Sequence, residues 1–430
     1  LYSPGLGTYS INEVLQPLYE PASDQLGNPD ITWETTITRN IGLDFTLFDN
    51  KLSGTVEVYK NSVKDLLLVD TSLSEITGFS SQFRNVGQTS NKGIEISLSA
   101  DLINSEDFNL QGSFNINFNK GNVDELSEGI NNEYSSNWAG VRLSPRNDYI
   151  LEVGQPVGLI RGWVDNGWYT TDDFNYDPAT QIYTLKDGIA DYASGLLPNV
   201  YGTFANKPGS QTAYPGVQKV VDTNGDGTID DLDLGVIGNT NPVHTGGFNL
   251  TGNYKALDFG LNFTWSAGND IYNATHVTAY LGNKESGLFR NRLQELAGHY
   301  KIYDIVNGQL TKVVEPAALD ALNANATTFL PYPESAINTT FGVEDGSYLR
   351  LNTATLGYSL PEATINKFGF TRLRVYGSIF NVFTLTGYSG FDPEINANEY
   401  GDGSPYPTPG LDFGSYPRAR TYTFGVNIEF

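Results

Sequence analysis

The feature that most constrains this chain is a strict alternation of apolar and polar residues over long segments. From 94 to 100, apolar side chains occupy every second position, and Glu or Ser fills the positions between them. The same period runs through 108–118, where Asn, Gln and Ser intervene, and through 257–265. Period-two alternation is typical of β-strands that present one face to an apolar environment. The sequence therefore predicts an all-β protein.

The length of these segments separates a membrane sheet from a soluble one. Strands of soluble sandwiches are usually about 5–6 residues long, whereas a tilted transmembrane strand needs about 9–11. The alternation here persists for about ten to twelve residues, which favours a transmembrane antiparallel barrel over a large soluble β-sandwich. Nine strands are predicted, near residues 36–48, 51–60, 91–101, 107–119, 245–254, 257–268, 347–360, 370–384 and 419–430.

The connections between the predicted strands fall into two length classes. The short turns are 49–51, 102–107, 255–256 and 361–369. The long connections are 61–90, 120–244, 269–343 and 385–418, with 30, 125, 75 and 34 residues. Short turns on one rim and long loops on the other are typical of outer-membrane barrels, whose short turns face the periplasm. We therefore expect these long loops to be extracellular.

An odd number of strands predicts that the chain is part of a larger barrel, because single-chain bacterial barrels have an even number. In this interpretation residues 1–35 belong to an extracellular loop, and residues 36–430 form the C-terminal part of the barrel. The chain contains no Met, even at position 1. We expect either that a targeting segment has been removed or that this is the later part of a longer polypeptide.

The last predicted strand alternates up to a terminal Phe. Such a strand resembles the signal that the outer-membrane assembly machinery recognises. Its apolar positions are Tyr422, Phe424, Val426, Ile428 and Phe430.

Composition excludes several classes of function. The chain has no Cys, which excludes disulfides and thiol catalysis, and its three His lie too far apart for a zinc motif. With 25 basic and 49 acidic residues, the net charge is −24, so we expect no nucleic-acid partner. No window approaches 18 consecutive apolar residues, as a transmembrane helix would require.

A series of short motifs resembles the SusC/RagA family of TonB-linked outer-membrane transporters, in the same order. The motifs are 28–34 (NPDITWE), 40–45 (NIGLDF), 83–87 (FRNVG), 91–95 (NKGIE), 226–230 (DGTID), 237–239 (IGN), 241–242 (NP), 246–248 (GGF), 268–273 (GNDIYN), 343–351 (VEDGSYLRL), 357–358 (GY), and Asn381 through 391–393 (FDP). They extend over nearly the whole chain, so the resemblance does not depend on a single weak pattern.

This resemblance implies a 22-strand barrel filled by a plug domain, of which the chain would supply about the last nine strands. The plug and the remaining strands would lie in an N-terminal part of the same transporter that this chain does not contain. The family works in the outer membrane of Gram-negative, Bacteroidetes-like cells. The resemblance implies active import of oligosaccharides or peptides, energised by the TonB–ExbB–ExbD complex, with a SusD-like lipoprotein as lid.

The strongest local motif predicts a calcium loop. Oxygen-bearing residues follow the spacing of a 12-residue calcium-binding loop, with the usual Gly at its sixth position, Gly227. The predicted ligands are Asp222, Asn224, Asp226, Thr228 through its backbone carbonyl, Asp230 and Asp233. The last position usually holds Glu, so the shorter Asp233 departs from the pattern. The alternative is an acidic, solvated turn without an ion. We expect a structural calcium that braces the long loop.

Four aromatic residues of the longest loop are weak candidates for substrate binding. Trp138, Trp163, Trp168 and Tyr169 could stack on sugar rings or pack on a partner, but they could also form the core that a 125-residue loop needs. We favour the core. The substrate-binding residues are therefore not predicted.

Nothing in the sequence predicts an enzyme. There is no G-x-S-x-G motif and no Walker A motif, and nothing places two carboxylates at a separation suited to glycoside hydrolysis. The alternative function from another class is a secreted, calcium-dependent β-protein that binds or cleaves glycans. A secreted protein would not need detergent for extraction, whereas a barrel would.

Overall fold

The computed structural model describes residues 2–21, 25–70, 73, 78–79, 81–127, 132–139, 143–194, 196, 211–281, 292–332, 335–395 and 406–430. Its main element is an antiparallel sheet of nine strands, each paired with the next in chain order. The strands are β1 (Thr35–Leu47), β2 (Leu52–Lys64), β3 (Gly87–Asn104), β4 (Phe108–Leu126), β5 (His244–Tyr254), β6 (Leu257–Ala267), β7 (Tyr348–Ser359), β8 (Arg372–Thr386) and β9 (Thr421–Glu429).

The two faces of this sheet differ sharply in chemistry, as the alternation predicted. One register row across β1–β4 consists of Leu43, Val56, Ile96 and Ile116, which are paired directly with one another. The neighbouring rows, on the opposite face, carry Asp, Glu, Ser, Thr, Asn and Gly. Large apolar side chains on the first face are exposed, for example Ile41 at 81%. Such a surface does not suit a secreted soluble β-protein, and it fits a sheet that contacts lipid.

All nine predicted strands are present, and the predicted fold class is confirmed. The largest difference lies in β3 and β4, which have 18 and 19 residues and extend well beyond the predicted 91–101 and 107–119. The extensions at one end of this pair, 87–90 and 120–126, carry only two large apolar residues, Val123 and Leu126, and these fall on opposite faces. The segments therefore lack the alternation that revealed the rest of each strand.

The sheet is open. In the described part of the chain, β1 pairs only with β2, and β9 pairs only with β8. Nine strands thus form a curved wall with two free edges, as predicted for part of a larger barrel. Free edges inside a bilayer leave backbone groups without partners, which is costly unless further strands cover them.

The remaining elements are short and lie mainly in the long connections. The short strands are Tyr2–Ile11, Val14–Pro21, Gln25–Leu26, Leu67–Asp70, Ser81–Asn85, Glu133–Tyr134, Leu143–Ser144, Tyr149–Ile150, Leu159–Gly162, Asp165–Trp168, Phe174–Asp177, Ile182–Leu185, Asp191–Tyr192, Gln218–Val220, Thr228–Ile229, Gly235–Asn239, Asp270–Asn273, Tyr303–Val306, Gln309–Lys312, Ala336–Ile337, Val343–Asp345 and Leu411–Asp412. The α-helices are Ala274–Ala279, Pro316–Leu322 and Glu362–Ile365. The 3₁₀ helices are Thr171–Asp173, Asp231–Asp233, Gln294–Gly298, Thr340–Gly342 and Asn366–Phe368. Across the described ranges, no helix has the length and apolar character needed to cross a membrane.

The long connections 120–244, 269–343 and 385–418 fold together into one layer, here called the outer layer. Their buried side chains form a single hydrophobic core. Short strand pairs join the connections: Leu143–Ser144 lies parallel to Ala336–Ile337, and Asp270–Asn273 lies parallel to Leu411–Asp412. The outer layer is therefore a packed unit and not three separate loops.

Tyrosine hydroxyls tie the outer layer together. Tyr149 donates to the carbonyl of Pro409 at 2.7 Å, which links the first and third connections. Tyr183 donates to the carbonyl of Val314 at 2.7 Å, which links the first and second. A buried hydroxyl is stabilised when it finds a hydrogen-bond partner. Each of these bonds therefore fixes the relative position of two connections.

Candidate functional site

A cavity of about 590 Å³ lies where the sheet meets the outer layer. Residues from β2, β3 and β4 line one side, and residues from two parts of the connection 120–244 line the other. They include Tyr59, Asn119, Gln155, Pro156, Asn239 and Asn241. The lining combines amide groups with two lysines, Lys92 and Lys120, two aromatic rings, Tyr59 and Phe118, and further apolar residues. Such a lining can donate and accept hydrogen bonds with a neutral polar solute and pack against its apolar edges.

Hydrogen bonds hold these lining groups in place. The Tyr59 hydroxyl donates to Asn119 Oδ1 at 3.0 Å. Asn241 Nδ2 donates to the carbonyl of Val157 at 2.7 Å and to Asn239 Oδ1 at 2.9 Å. No sequence pattern indicates this cavity, because its residues come together only through strand register and loop packing.

The predicted calcium loop is a tight turn stabilised by its own carboxylates. Asp222 accepts hydrogen bonds from the amides of Gly225 and Gly227, at 2.7 and 2.8 Å. Asp226 Oδ1 accepts from the amide of Thr228 at 2.8 Å. Both glycines have a positive φ, 73° and 86°, which side-chain-bearing residues rarely adopt. The chain therefore bends sharply where the motif predicts.

Asp233 closes the turn from its far end. Its Oδ1 accepts from the amide of Thr223 at 2.7 Å, and its Oδ2 accepts from the amide of Asp230 at 3.0 Å. Burial raises the pKa of Asp233, but these amides and the Thr223 hydroxyl outweigh it and lower the pKa overall. The carboxylate is therefore held ionised close to the first residues of the loop.

Not every predicted ligand points into the turn. Asp230 caps the 3₁₀ helix Asp231–Asp233, where its Oδ1 accepts from the amide of Leu232 at 2.7 Å. Within the described residues, no three His, Asp or Glu side chains are arranged as a metal-binding group. The donor set consists entirely of carboxylate, amide and carbonyl oxygens, which is the chemistry that calcium requires. Calcium at this loop stays a prediction.

The loop is anchored to the outer layer. Trp163 Nε1 donates to the carbonyl of Asp230 at 3.0 Å, and Ile229 is buried in the core. Asp191–Tyr192 pairs in parallel with Thr228–Ile229. A change in the loop would thus be transmitted to the packing around Trp163.

The four candidate aromatic residues lie in or against the core of the outer layer. Trp138, Trp163 and Tyr169 are buried, and Trp168 packs against the same core while half-buried. The ring of Trp138 contacts Tyr272 and Phe413. In this arrangement these rings pack against protein side chains.

The apolar residues of the last strand follow the predicted alternation. They lie on the apolar face of β9 and, with Phe430, are exposed: Tyr422, Phe424, Val426, Ile428 and Phe430. Their role as an assembly signal stays a prediction.

Comparisons with known proteins place these features in a family. Residues 8–214 match the model described as "TonB dependent receptor-like, beta-barrel". The chain is 30% identical over 437 residues to TonB-dependent receptor P3 of Formosa agariphila, covering all of this chain and 38% of that protein. It is 26% identical over 418 residues to TonB-dependent receptor SusC of Bacteroides thetaiotaomicron, covering 96% and 33%.

Solved structures agree on the fold. The structure of the RagAB peptide importer in its closed-closed state matches with a TM-score of 0.65 and 23% identity, covering all of this chain and 39% of that one. A second RagAB structure, in the open-open state, matches with a TM-score of 0.57 and 24% identity, covering 100% and 38%.

The fold is that of the β-barrel of TonB-dependent receptors, and residues 8–214 match the model of that family. Within this class, the predicted resemblance to the SusC/RagA family is confirmed. The chain spans little more than a third of the length of the relatives it matches. Receptors of this family are outer-membrane proteins.

Proposed function

We propose that the receptor to which this chain belongs actively imports large nutrients, oligosaccharides or peptides, across the outer membrane. The observation that supports this most is the pairing of a lipid-compatible wall with a packed outer layer. Between them lies a cavity of about 590 Å³ whose lining combines apolar side chains with amides and two lysines. In this proposal the nine-strand sheet forms part of the barrel wall, the outer layer forms a platform for a lid, and the two together border the chamber that receives the cargo. The chain catalyses no bond change. Energy comes from TonB–ExbB–ExbD through the plug, which belongs to the rest of the receptor.

The outer layer supports the second element of the proposal, a SusD-like lipoprotein lid. A lid that opens and closes needs a rigid base, because a mobile base would lose conformational entropy with every closure. The connections 120–244 and 269–343 share one buried core with 385–418, which gives them that rigidity. RagAB, whose fold the chain shares, is a peptide importer. We extend import to this receptor, but leave open whether its cargo is a glycan or a peptide.

Co-purification and uptake test this function together. The full receptor is purified from membranes in mild detergent, and its partners are identified. Uptake of candidate oligosaccharides and peptides is then measured with and without the neighbouring lipoprotein gene. We expect a surface lipoprotein to accompany the receptor and uptake to require it. A receptor that purifies alone and imports without the lipoprotein would be a stand-alone TonB-dependent receptor, contrary to this proposal.

We also propose that calcium binds the loop 222–233. The ligands would be Asp222, Asn224, Asp226, the carbonyl of Thr228, Asp230 and Asp233. Bound calcium would neutralise the carboxylates of a turn that anchors to Trp163. Binding would require the Asp230 side chain to leave its cap or to act through water, as ligands at this position often do.

Limited proteolysis of the full receptor tests the calcium proposal. We expect calcium to protect residues 211–244 and EDTA to expose them. Asp226→Ala should abolish the protection, whereas the matched change Asp231→Ala, in the same turn but outside the ligand set, should retain it. Both variants should remain in the membrane. Equal cleavage with calcium and EDTA would show that the loop is an acidic turn without an ion.

A further inference from the structure

Four basic side chains form one register row across β1–β4. Arg39 pairs with Lys60, Lys60 with Lys92, and Lys92 with Lys120, each directly opposite its neighbour. No register irregularity interrupts the pairing at these positions. Adjacent strands are about 4.8 Å apart, so the four charges extend over about 14 Å. We call this set the basic row.

The basic row lies on the apolar face of the sheet. Side chains two positions apart on a strand share a face, and Arg39 is two positions from Ile41. The next register row is Ile41, Val58, Ile94 and Phe118, which is wholly apolar and exposed. The basic row therefore borders the surface that contacts lipid.

The position along the strands identifies the membrane boundary. The apolar rows continue from Ile41 to Leu47, next to the tight turn. From Arg39 to Leu47 the strand runs about 27 Å, which corresponds to about 20 Å across the membrane when the strand is tilted. The basic row is at the end opposite the tight turns, and short turns face the periplasm in outer-membrane barrels. It therefore lies at the level of the outer-leaflet headgroups.

The protein itself does not neutralise these charges. All four side chains are exposed, and in the described part of the chain none of them makes an ion pair. Asp124 shares their face, but it is four residues beyond Lys120 and accepts hydrogen bonds from Ser90 and Asn122. Like charges directly opposite one another destabilise a sheet. The net charge of the chain is −24, yet these four cations lie side by side in one row. An external anion bound to the row would relieve their mutual repulsion.

We propose that the basic row binds the phosphate-bearing headgroup of an outer-leaflet lipid, whose acyl chains pack on the apolar rows below. The charge is complementary to phosphate, and Lys and Arg at a membrane surface attract anionic headgroups. The apolar rows contribute hydrophobic contact that a free phosphate ion cannot use. The inference rests on the outer-membrane location of the proposed importer.

Lipid binding by the full receptor in mild detergent tests the proposal. The probe is monophosphoryl lipid A, and its retention is measured by native mass spectrometry. The test variant is Lys60→Gln, Lys92→Gln, Lys120→Gln. The matched control removes three exposed lysines at the periplasmic end: Lys51→Gln, Lys255→Gln, Lys367→Gln. We expect the test variant to bind about tenfold to a hundredfold more weakly than wild type, and the control to bind like wild type.

Two further arms identify the source of the phosphate. Dephosphorylated lipid A should bind the wild type as weakly as phosphorylated lipid A binds the test variant, and millimolar inorganic phosphate should not displace the lipid. Equal loss in test and control variants would overturn the proposal. Equal binding of dephosphorylated lipid, or displacement by inorganic phosphate, would also overturn it.

A stability measurement separates this inference from the proposed function. Without lipid and at low salt, Lys60→Gln should raise the melting temperature, because Lys60 has a cation on both sides and does not line the cavity. Added lipid A should stabilise the wild type more than the variant. A variant that melts like wild type in both conditions would contradict the basic row while leaving import, measured by uptake, unaffected.

Discussion

At the scale of single residues, Asp148 is the most deeply buried carboxylate among the described residues of the outer layer. The backbone amide and hydroxyl of Ser136 donate to it, at 2.7 and 2.5 Å. Burial raises the pKa of Asp148 to about 6, although these hydrogen bonds lower it. Because the folded-state pKa lies above the usual value of 3.8, the folded protein binds this proton more tightly than the unfolded chain does. The stability that Asp148 contributes is therefore greatest below about pH 4 and declines as the pH rises to about 6.

Asp148→Asn removes this dependence. The amide keeps a carbonyl oxygen for the Ser136 amide and can donate to its hydroxyl. We expect almost no gain in stability at pH 4 and a gain on the order of 2–3 kcal/mol above pH 6, from thermal melts of the purified receptor. Asp231→Asn, at an exposed position, controls for the loss of one charge. A gain that does not change with pH would show that burial of the charge is not its cause.

Gly246 shows how closely the barrel wall is packed. A Cβ placed there would lie 2.3 Å from the carbonyl oxygen of Asn115 and 2.4 Å from the Trp265 ring. The ring of Trp265 in β6 thus packs directly on the backbone of Gly246 in the neighbouring strand β5. Gly246→Ala should destabilise the receptor by about 1–3 kcal/mol in chemical unfolding.

The control for this change is Gly260→Ala, in the adjacent strand β6. A Cβ at Gly260 would meet only Thr251 Cγ2, at an ordinary contact of 3.8 Å. We expect little loss of stability there. Equal losses at both positions would indicate a general penalty for replacing strand glycines and not the clash with Trp265.

At the scale of elements, the sequence predicted those strands in which apolar and polar residues alternate with a regular period. The nine wall strands alternate because lipid faces one side, so their existence and most of their ends could be predicted. The short strands of the outer layer, such as Leu159–Gly162, are buried on both faces and too short to show a period. Their pairing depends on contacts with distant segments. The cavity near Tyr59 and the basic row likewise require the register between strands, which a single strand does not encode.

Arg350 joins an element of the wall to an element of the outer layer. It is buried in β7, where its guanidinium pairs with Asp392 and, at 3.0 Å, with Glu394. Arg418 reaches the same two carboxylates, at 3.5 and 2.9 Å. Two arginines and two acids thus hold the start of the connection 385–418 against the wall. A buried ion pair adds little net stability, but breaking one leaves an uncompensated charge.

Arg350→Gln should therefore cost about 3 kcal/mol and release residues 387–395. Hydrogen exchange on that segment and chemical unfolding of the receptor measure the two effects. Arg374→Gln is the control, because its pair with Asp258 is more exposed and should cost about 1 kcal/mol or less. If residues 387–395 stay protected in Arg350→Gln, the remaining contacts of the connection hold it without this cluster.

At the scale of the whole chain, the wall and the outer layer meet, and each is stabilised in different surroundings. The wall is stabilised by backbone hydrogen bonds between strands and by lipid on its apolar face. The outer layer lies outside the membrane and depends on an ordinary hydrophobic core, rich in Tyr, with its own hydrogen-bond network. The two motifs singled out in the sequence for chemistry, the calcium loop and the tryptophans, both belong to the outer layer. Damage to that core should therefore leave the wall in place.

Trp163→Ala tests this separation of the layers. The side chain is fully buried, and its Nε1 donates to the carbonyl of Asp230, so the change removes core volume and the anchor of the loop 222–233 together. A buried Trp replaced by Ala costs about 3–5 kcal/mol. We expect proteases to cleave the outer layer of the full receptor, while the barrel still inserts and still migrates differently when unboiled. Val164→Ala, at the exposed neighbour, should change neither property. Loss of the folded barrel in Trp163→Ala would show instead that wall and outer layer unfold as one cooperative unit.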